Sequence, residues 1–219
     1  MKILLILAVA TIVVFLAWRA GSRRRSLPCP VWLRWMVELD NPFARTNRAA
    51  FIVEKLELAP GMSVLDAGCG PGRLTIPAAR AVGTSGRVLA VDIQVGMLDR
   101  VREKVGDLRN IELLQCALGD GKLPVQAFDR ALLVTVLGEI PDRGAALREV
   151  FEALKPGAVL SVTEIVFDPH FQTRGTVTAL AREAGFTEKA FFGNAIAYTA
   201  HFTRPALPTR MTEDPEDPA

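Results

Sequence analysis

The stretch Ser63-Val64-Leu65-Asp66-Ala67-Gly68-Cys69-Gly70-Pro71-Gly72 constrains this chain more than any other. An apolar strand enters a turn with glycine at alternate positions, and the residues after it read as a helix over 72–82. Such a turn lets backbone approach a ligand where a Cβ would collide. The helix that follows directs unpaired N–H groups at the same place. The expected occupant is a nucleotide-like molecule.

Strand and helix patterns then alternate. Strands are expected at 63–66, 87–93, 111–115, 128–135 and 159–164, with helices at 94–105, 145–154 and 172–184 between and after them. Leu132-Leu133-Val134 has the continuous apolar character of a strand buried on both faces. Two further β-rich segments, 188–192 and 196–202, follow without a helix between them and suggest an antiparallel addition. The pattern predicts an α/β fold, a Rossmann-like sheet between two helical layers. A helix starting at Thr46 and running to Leu58 is expected to precede it.

The glycine turn does not belong to the dinucleotide or the phosphate-loop kind. A G-x-G-x-x-G turn needs glycine where Arg73 stands, and no Gly-Lys-Ser/Thr ending is present. What the turn has instead is Asp66 before it and two more acids on the next two strand ends. Asp92 is placed to accept the hydroxyls of a ribose, and Asp120, in Leu118-Gly119-Asp120-Gly121, to meet an adenine amino group. Three carboxylates repel a diphosphate and suit a ligand with a cationic group, an amine and free hydroxyls.

These motifs, with Val88-Leu89-Ala90-Val91-Asp92, Leu123-Pro124, Phe128-Asp129, Ile140-Pro141-Asp142, Ala146-Leu147-Arg148-Glu149-Val150 and Leu154-Lys155-Pro156-Gly157, resemble a class I S-adenosylmethionine-dependent methyltransferase. The resemblance covers about residues 45–203 and is to the small-molecule group that includes the ubiquinone/menaquinone methyltransferases. It implies a seven-stranded sheet with the last strand antiparallel and S-adenosylmethionine as cofactor. It also implies Gly68 and Gly70 beside the methionine part, Asp66 near its amino group, Asp92 on the ribose and Ile93 against adenine. Asp120 and Gly121 would meet the adenine edge, and Val134 would lie beside the methyl-bearing end.

The amino terminus carries its own signal. Ile3 to Trp18 is an uncharged apolar run followed by Arg19, Arg23, Arg24 and Arg25. We read 1–21 as a transmembrane anchor, preferred over a cleaved signal peptide or a core helix, with a single-pass chain whose catalytic domain lies in the cytoplasm. A basic linker at 22–30, an N-terminal helical cover at 31–58 containing Trp32 and Trp35, a methyltransferase domain at 59–204 and a disordered tail at 205–219 complete the expected organisation. Residues 1–36 hold a charge of +6, so the remainder is acidic against a total of +2. That removes the main support for nucleic-acid binding.

Acceptor-side groups must come from loops over the strand ends. Glu139 and His170 are the candidate catalytic residues; Asn41, Thr46, Asn47 and Glu164 are candidates for the substrate side or the cover. Cys29, Cys69 and Cys116 follow no metal or disulfide spacing, and two histidines are too few for a zinc site. With the anchor, the expected partners are the bilayer and a membrane lipid or lipophilic small molecule. N-methylation of an aminophospholipid is the first reading of the reaction. The alternatives are C- or O-methylation of an isoprenoid quinone, S-methylation of a hydrophobic thiol, and a non-catalytic, membrane-tethered adenosylmethionine-binding module.

Overall fold

The computed structural model describes residues 6, 10, 13, 20, 21, 28–31, 37–41 and 44–206. The strands are β1 (Ser63–Ala67), β2 (Arg87–Asp92), β3 (Ile111–Gln115), β4 (Phe128–Val134), β5 (Leu154–Ile165), β6 (Thr187–Gly193) and β7 (Ala197–Thr203). The helices are α1 (Ala49–Lys55), α2 (Thr75–Val82), α3 (Val95–Lys104), α4 (Arg143–Ala153) and α5 (Arg174–Glu183). The strands form one sheet in the order β3-β2-β1-β4-β5-β7-β6. β1 to β5 run parallel, and β7 lies antiparallel between β5 and β6. The seven strands and the antiparallel last strand match expectation.

Strand alternation divides the core in two. Leu65, Ala67, Leu89, Val91 and Leu133 join Leu147 and Val150 of α4 and Val177 and Ala181 of α5. Val64, Val88, Leu132 and Val159 join Ile52 of α1 and Ala78, Ala79 and Val82 of α2. Asp66 shares the face of Val64, so period two aims its carboxylate at the α2 layer. The strand order reverses at β1, whose neighbours β2 and β4 lead their crossovers away on opposite sides. An open parallel sheet forms its crevice at that reversal, outside the carboxyl ends of the strands.

Two element boundaries moved for identifiable reasons. α1 does not start at Thr46: residues Arg45–Asn47 form a 3-10 turn, and the Ala49 N–H is received by the distant Asp40 carboxylate at 2.8 Å. The expected helix at 72–82 begins at Thr75 because 68–74 stays a turn, with Gly72 N–H donating to the Cys69 carbonyl at 3.1 Å.

The transmembrane anchor is corrected. Among the described residues no helix is long and apolar enough to cross a membrane. The preceding transmembrane helix, the single-pass cytoplasmic placement and the bilayer and membrane-lipid partners drawn from it are therefore not retained. Of residues 1–21 only 6, 10, 13, 20 and 21 are described; the rest of that stretch lies outside the described residues, as do residues 32–36 with both tryptophans and the tail from 207. The physical reason was visible in the length: sixteen residues from Ile3 to Trp18 rise only about 24 Å as a helix, against a hydrocarbon core of about 30 Å.

One arginine closes the carboxyl end of α4, beside the start of β5. Nη1 of Arg204 donates to the carbonyls of Phe151 (2.6 Å), Glu152 (3.1 Å) and Leu154 (2.8 Å), where α4 ends. Its guanidinium also lies 4.5 Å from the Phe151 ring centroid. A cation there satisfies carbonyls that the helix leaves unpaired and opposes its dipole. Arg204→Ala is expected to cost about 1.5–3 kcal/mol, the range for hydrogen bonds to a charged group. A lower urea midpoint at unchanged slope is the measurement; an unchanged midpoint would show the contact to be idle.

Candidate active site

A crevice of about 480 Å³ opens at the reversal. Its floor comes from the ends of three strands and the residues that follow them: Asp66 of β1 with Gly68 and Gly70, Asp92 of β2 with Ile93, and Val134 of β4 with Thr135 and Val136. Gly68 has φ +76°, and a Cβ on it would sit 2.5 Å and 2.6 Å from the two Val136 methyls. The turn after β1 therefore needs glycine both for its backbone and for the room it leaves β4. Thr135, a β-branched residue, is held at φ +55° in the same wall, a conformation costing roughly 1–2 kcal/mol.

The two strand-end carboxylates are braced differently. Asp92 accepts the Gly70 N–H at 2.9 Å and the Gln94 N–H at 2.8 Å, and so ties the glycine turn to β2. Burial raises its pKa, while the N–H groups of Gln94, Gly70 and Ile93 hold it down. Asp66 is buried and accepts the Thr75 hydroxyl at 2.6 Å. Burial pushes its carboxyl up to about 6, against the pull of the Thr75 hydroxyl and the Arg73 charge. Ile93 has the opposite character: it is 55% exposed, an apolar side chain lying open at the crevice.

Other expected residues stand elsewhere. Asp120 and Gly121 do not line the crevice. Asp120 is exposed and pairs with Lys122 at 3.3 Å, and Glu149 of α4 receives the N–H groups of Gly119 and Leu123. That contact holds the loop against α4, so Cys116, Ala117 and Leu118 form this wall instead. Asn41, Thr46 and Asn47 also lie outside the lining. Their carbonyls hold the cover in place: Asn41 accepts from Arg48 at 3.4 Å, Asn47 from Arg73 at 2.5 Å and Thr46 from the Thr199 hydroxyl at 2.9 Å. Arg73 pairs with Asp40 at 2.9 Å as well, so the residue that excluded a dinucleotide turn joins the cover to the crevice.

Pro28, Cys29 and Pro30, expected as linker, form part of the crevice wall. Gln94 Nε2 donates to the Cys29 carbonyl at 3.0 Å, and the Cys29 N–H donates to Glu139. The dipeptide pattern alone carried no sign of this, because the contacts join segments more than sixty residues apart. The Cys29 thiol is pushed up to about 11, first by burial and then by the charges of Glu139, Asp168 and Asp92; the buried Cys69 thiol is raised too. Neither has the electropositive surroundings that activate a thiolate.

Over the other end of the crevice stands an acidic group. Glu139 and His170 line it together with Phe167 and Asp168. Burial, then the charges of Asp168 and Asp92, push the Glu139 carboxyl up to about 8. Glu164 is buried behind them: one oxygen accepts the Gln172 N–H at 3.0 Å and the other has no hydrogen-bond partner among the described residues. Its carboxyl is likewise raised to about 8, chiefly by burial. The backbone of 138 allows this assembly, since a Cβ on Gly138 would lie 1.9 Å from the His170 carbonyl oxygen.

Comparison with known proteins agrees with this geometry. Residues 64–157 match the family described as Methyltransferase domain. The ubiquinone/menaquinone biosynthesis C-methyltransferase UbiE of Vibrio vulnificus is 36% identical over 125 residues, 54% of this chain and 48% of that protein. The demethylmenaquinone methyltransferase of Staphylococcus aureus is 33% identical over 116 residues, 52% of this chain and 47% of that one. The chain thus spans about half the length of these curated relatives. A crystal structure of a SAM-dependent methyltransferase from Aquifex aeolicus shares the fold, with a TM-score of 0.71 at 22% identity over 80% of this chain and 99% of that one.

Proposed function

We propose that this S-adenosylmethionine-dependent methyltransferase transfers the methyl group to a ring carbon of a quinone-type small molecule. The observation that carries the methyl-donor half of the reading is the convergence of Gly68, Asp66, Asp92 and Ile93 at the reversal of strand order. The cofactor fits what is present. The turn at Gly68 has no room for a Cβ, Asp92 lines the crevice and has a carboxylate lone pair left beyond the N–H groups of Gly70, Gln94 and Ile93, and Ile93 offers an open apolar face. In this reading Gly68 and Gly70 hold the methionine part, Asp66 its ammonium, Asp92 the ribose hydroxyls and Ile93 the adenine face. Val134 and Thr135 lie toward the reacting end. Asp120 and Gly121 stay outside the assignment unless their loop leaves Glu149.

When bound, S-adenosylmethionine supplies an electrophilic sulfonium methyl group. The chain's own task is to align the acceptor and keep water from it. A quinone-type acceptor is preferred because one curated relative is named a ubiquinone/menaquinone biosynthesis C-methyltransferase and the other a demethylmenaquinone methyltransferase. An aminophospholipid drew its support from the N-terminal anchor, which is not retained. The hydrophobic thiol and the non-catalytic module have no observation of their own in their favour.

Asp66 makes the cofactor half testable through pH. Its carboxyl sits at about 6 when folded, against about 3.9 in an unfolded chain. Neutral Asp66 therefore contributes stability that is full below the unfolded value and lost as pH rises through about 6. Pairing with an ammonium needs the ionised form. Affinity for S-adenosylhomocysteine should rise with pH toward 6 and level off above it, and Asp66→Asn should flatten the slope and weaken binding about tenfold or more. Calorimetry across this range is the measurement. A wild-type affinity independent of pH removes Asp66 from the site. Labelled S-adenosylmethionine with naphthohydroquinone as acceptor tests the transfer itself, and absence of any methylated ring product defeats the acceptor assignment.

A further inference from the structure

Glu139, His170 and Asp168 form an arrangement that cofactor binding leaves without a task. Nδ1 of His170 stands 3.9 Å from Glu139 Oε1 and 3.9 Å from Asp168 Oδ1. The imidazole is only 4% exposed, and neither ring nitrogen has a hydrogen-bond partner among the described residues. A buried imidazole without a partner is costly and rare, and calls for an explanation in function or in a missing group. Its loop is held firmly in that position. Asp168 Oδ1 accepts the His170 N–H at 2.7 Å, the Gln172 side chain donates to the His170 carbonyl at 2.6 Å, and the Tyr198 hydroxyl donates to the Gln172 carbonyl at 2.8 Å.

We infer that Glu139 is the catalytic base that takes the hydroxyl proton of a hydroxyaromatic acceptor, and that His170, held between Glu139 and Asp168, is the positioning residue that fixes its charge. This rests on the methyltransferase reading above and names the chemistry of its acceptor end. The surroundings point to a neutral, hydroxyl-bearing acceptor rather than an anion. Facing Glu139 are Asp92 from the end of β2, Asp168 and His170 from the loop after β5, Glu164 from β5 itself and the N–H and thiol of Cys29. The nearby Arg143 of α4 donates to the Leu137 and Gly138 carbonyls at 3.1 Å each. An acceptor with a carboxylate or phosphate at this end meets Asp92 and Asp168 and, once they ionise, Glu139 and Glu164; a hydroxyl meets carboxylate oxygens that accept its proton.

The step balances as follows for a hydroquinone ring. The O–H bond breaks with its electron pair left on oxygen, and the proton goes to the Glu139 carboxylate. That pair, delocalised to a ring carbon, forms the new carbon–carbon bond to the methyl, whose bond to sulfur breaks toward sulfur. The hydrogen on the methylated carbon leaves as a proton to solvent, restoring the aromatic ring, and Glu139 returns its proton to the oxygen.

The test uses the full chain, with naphthohydroquinone under anaerobic reducing conditions as the probe. Glu139→Gln and His170→Asn should keep the affinity for S-adenosylhomocysteine within about threefold, which shows an intact fold and cofactor site. Calorimetry of the probe on that complex should show about tenfold weaker binding in Glu139→Gln, from a lost charge-assisted hydrogen bond. In turnover Glu139→Gln should lower kcat by about 100-fold or more, within the range for general base catalysis. His170→Asn should shift the rising limb of the kcat–pH profile to higher pH, since it replaces an imidazole able to become a cation 3.9 Å from the carboxylate with an amide that stays neutral. Glu139→Gln with wild-type kcat and pH profile overturns the base assignment alone, and His170→Asn with an unmoved profile overturns the positioning role. A wild-type complex that does not bind the probe overturns the acceptor reading and this inference together.

Discussion

Gly68→Ala should abolish measurable S-adenosylhomocysteine binding and lower stability by about 2–5 kcal/mol. Two effects add. The residue sits at φ +76°, where a side chain costs roughly 1–2 kcal/mol. The new Cβ would also stand 2.5 Å from one Val136 methyl and 2.6 Å from the other, an overpacking of about 1–3 kcal/mol. Neither neighbour moves cheaply. The Gly68 N–H donates to the Val91 carbonyl at 2.8 Å, and Val136 precedes the 3-10 turn that carries Glu139. A double variant with Val136→Ala separates the terms: the clash should be relieved and the φ cost retained, giving a partial return of stability and binding. Calorimetry and urea unfolding are the measurements. Binding within threefold of wild type in the single variant would show that the turn does not approach the cofactor.

Gly138→Ala should have the complementary effect, loss of methyl transfer with the cofactor still bound. The obstacle here is backbone: the Cβ would lie 1.9 Å from the His170 carbonyl oxygen, 2.6 Å from its Cβ and 2.7 Å from its carbonyl carbon. The loop that presents Asp168 and His170 must move away from Glu139. A displacement of about 1 Å at a reacting centre costs on the order of 100-fold in rate, with about 1–3 kcal/mol lost in stability. Asp66, Gly70 and Asp92 are held by Thr75 and by each other, so affinity for S-adenosylhomocysteine should stay near wild type. Single-turnover transfer to naphthohydroquinone and calorimetry decide between outcomes. Parallel loss of cofactor affinity would mean that the two ends of the crevice are one mechanical unit.

In the proposed assignment the two glycines divide the crevice into a donor end and an acceptor end; the sequence offered the first as a connected pattern and the second only as separate candidates, Glu139, Glu164 and His170. Asp66, Gly68, Gly70 and Asp92 lie at strand ends whose positions follow from local apolar patterns, and a parallel sheet of that length must bring such ends together. The same local rules account for the three-layer fold and the antiparallel β7. They mislead where a segment's partner is distant. Asp120 has a suitable position along the chain, but Glu149 of α4 receives its loop. Thr46 has the chemistry of a cap, but Asp40 receives the helix N–H instead. The apolar run at the amino terminus drew a membrane assignment from composition, although its length falls short of a span.

What the sequence by itself determined is the donor end: the strand, the glycine turn without room for side chains, and the acids on successive strand ends, all set by local pattern and sheet topology. What only the tertiary structure decided is how the acceptor end is assembled: Glu139, Glu164 and His170 stood as separate candidates in the sequence, while Cys29 and Asp168 did not stand among them. Cys29, Glu139, Glu164, Asp168 and His170 come from four separate segments, and no periodicity links them. Their meeting depends on backbone packing at Gly138 and on burial that shifts carboxyl groups far from their ordinary range, and these are properties of the assembled sheet rather than of any stretch of it.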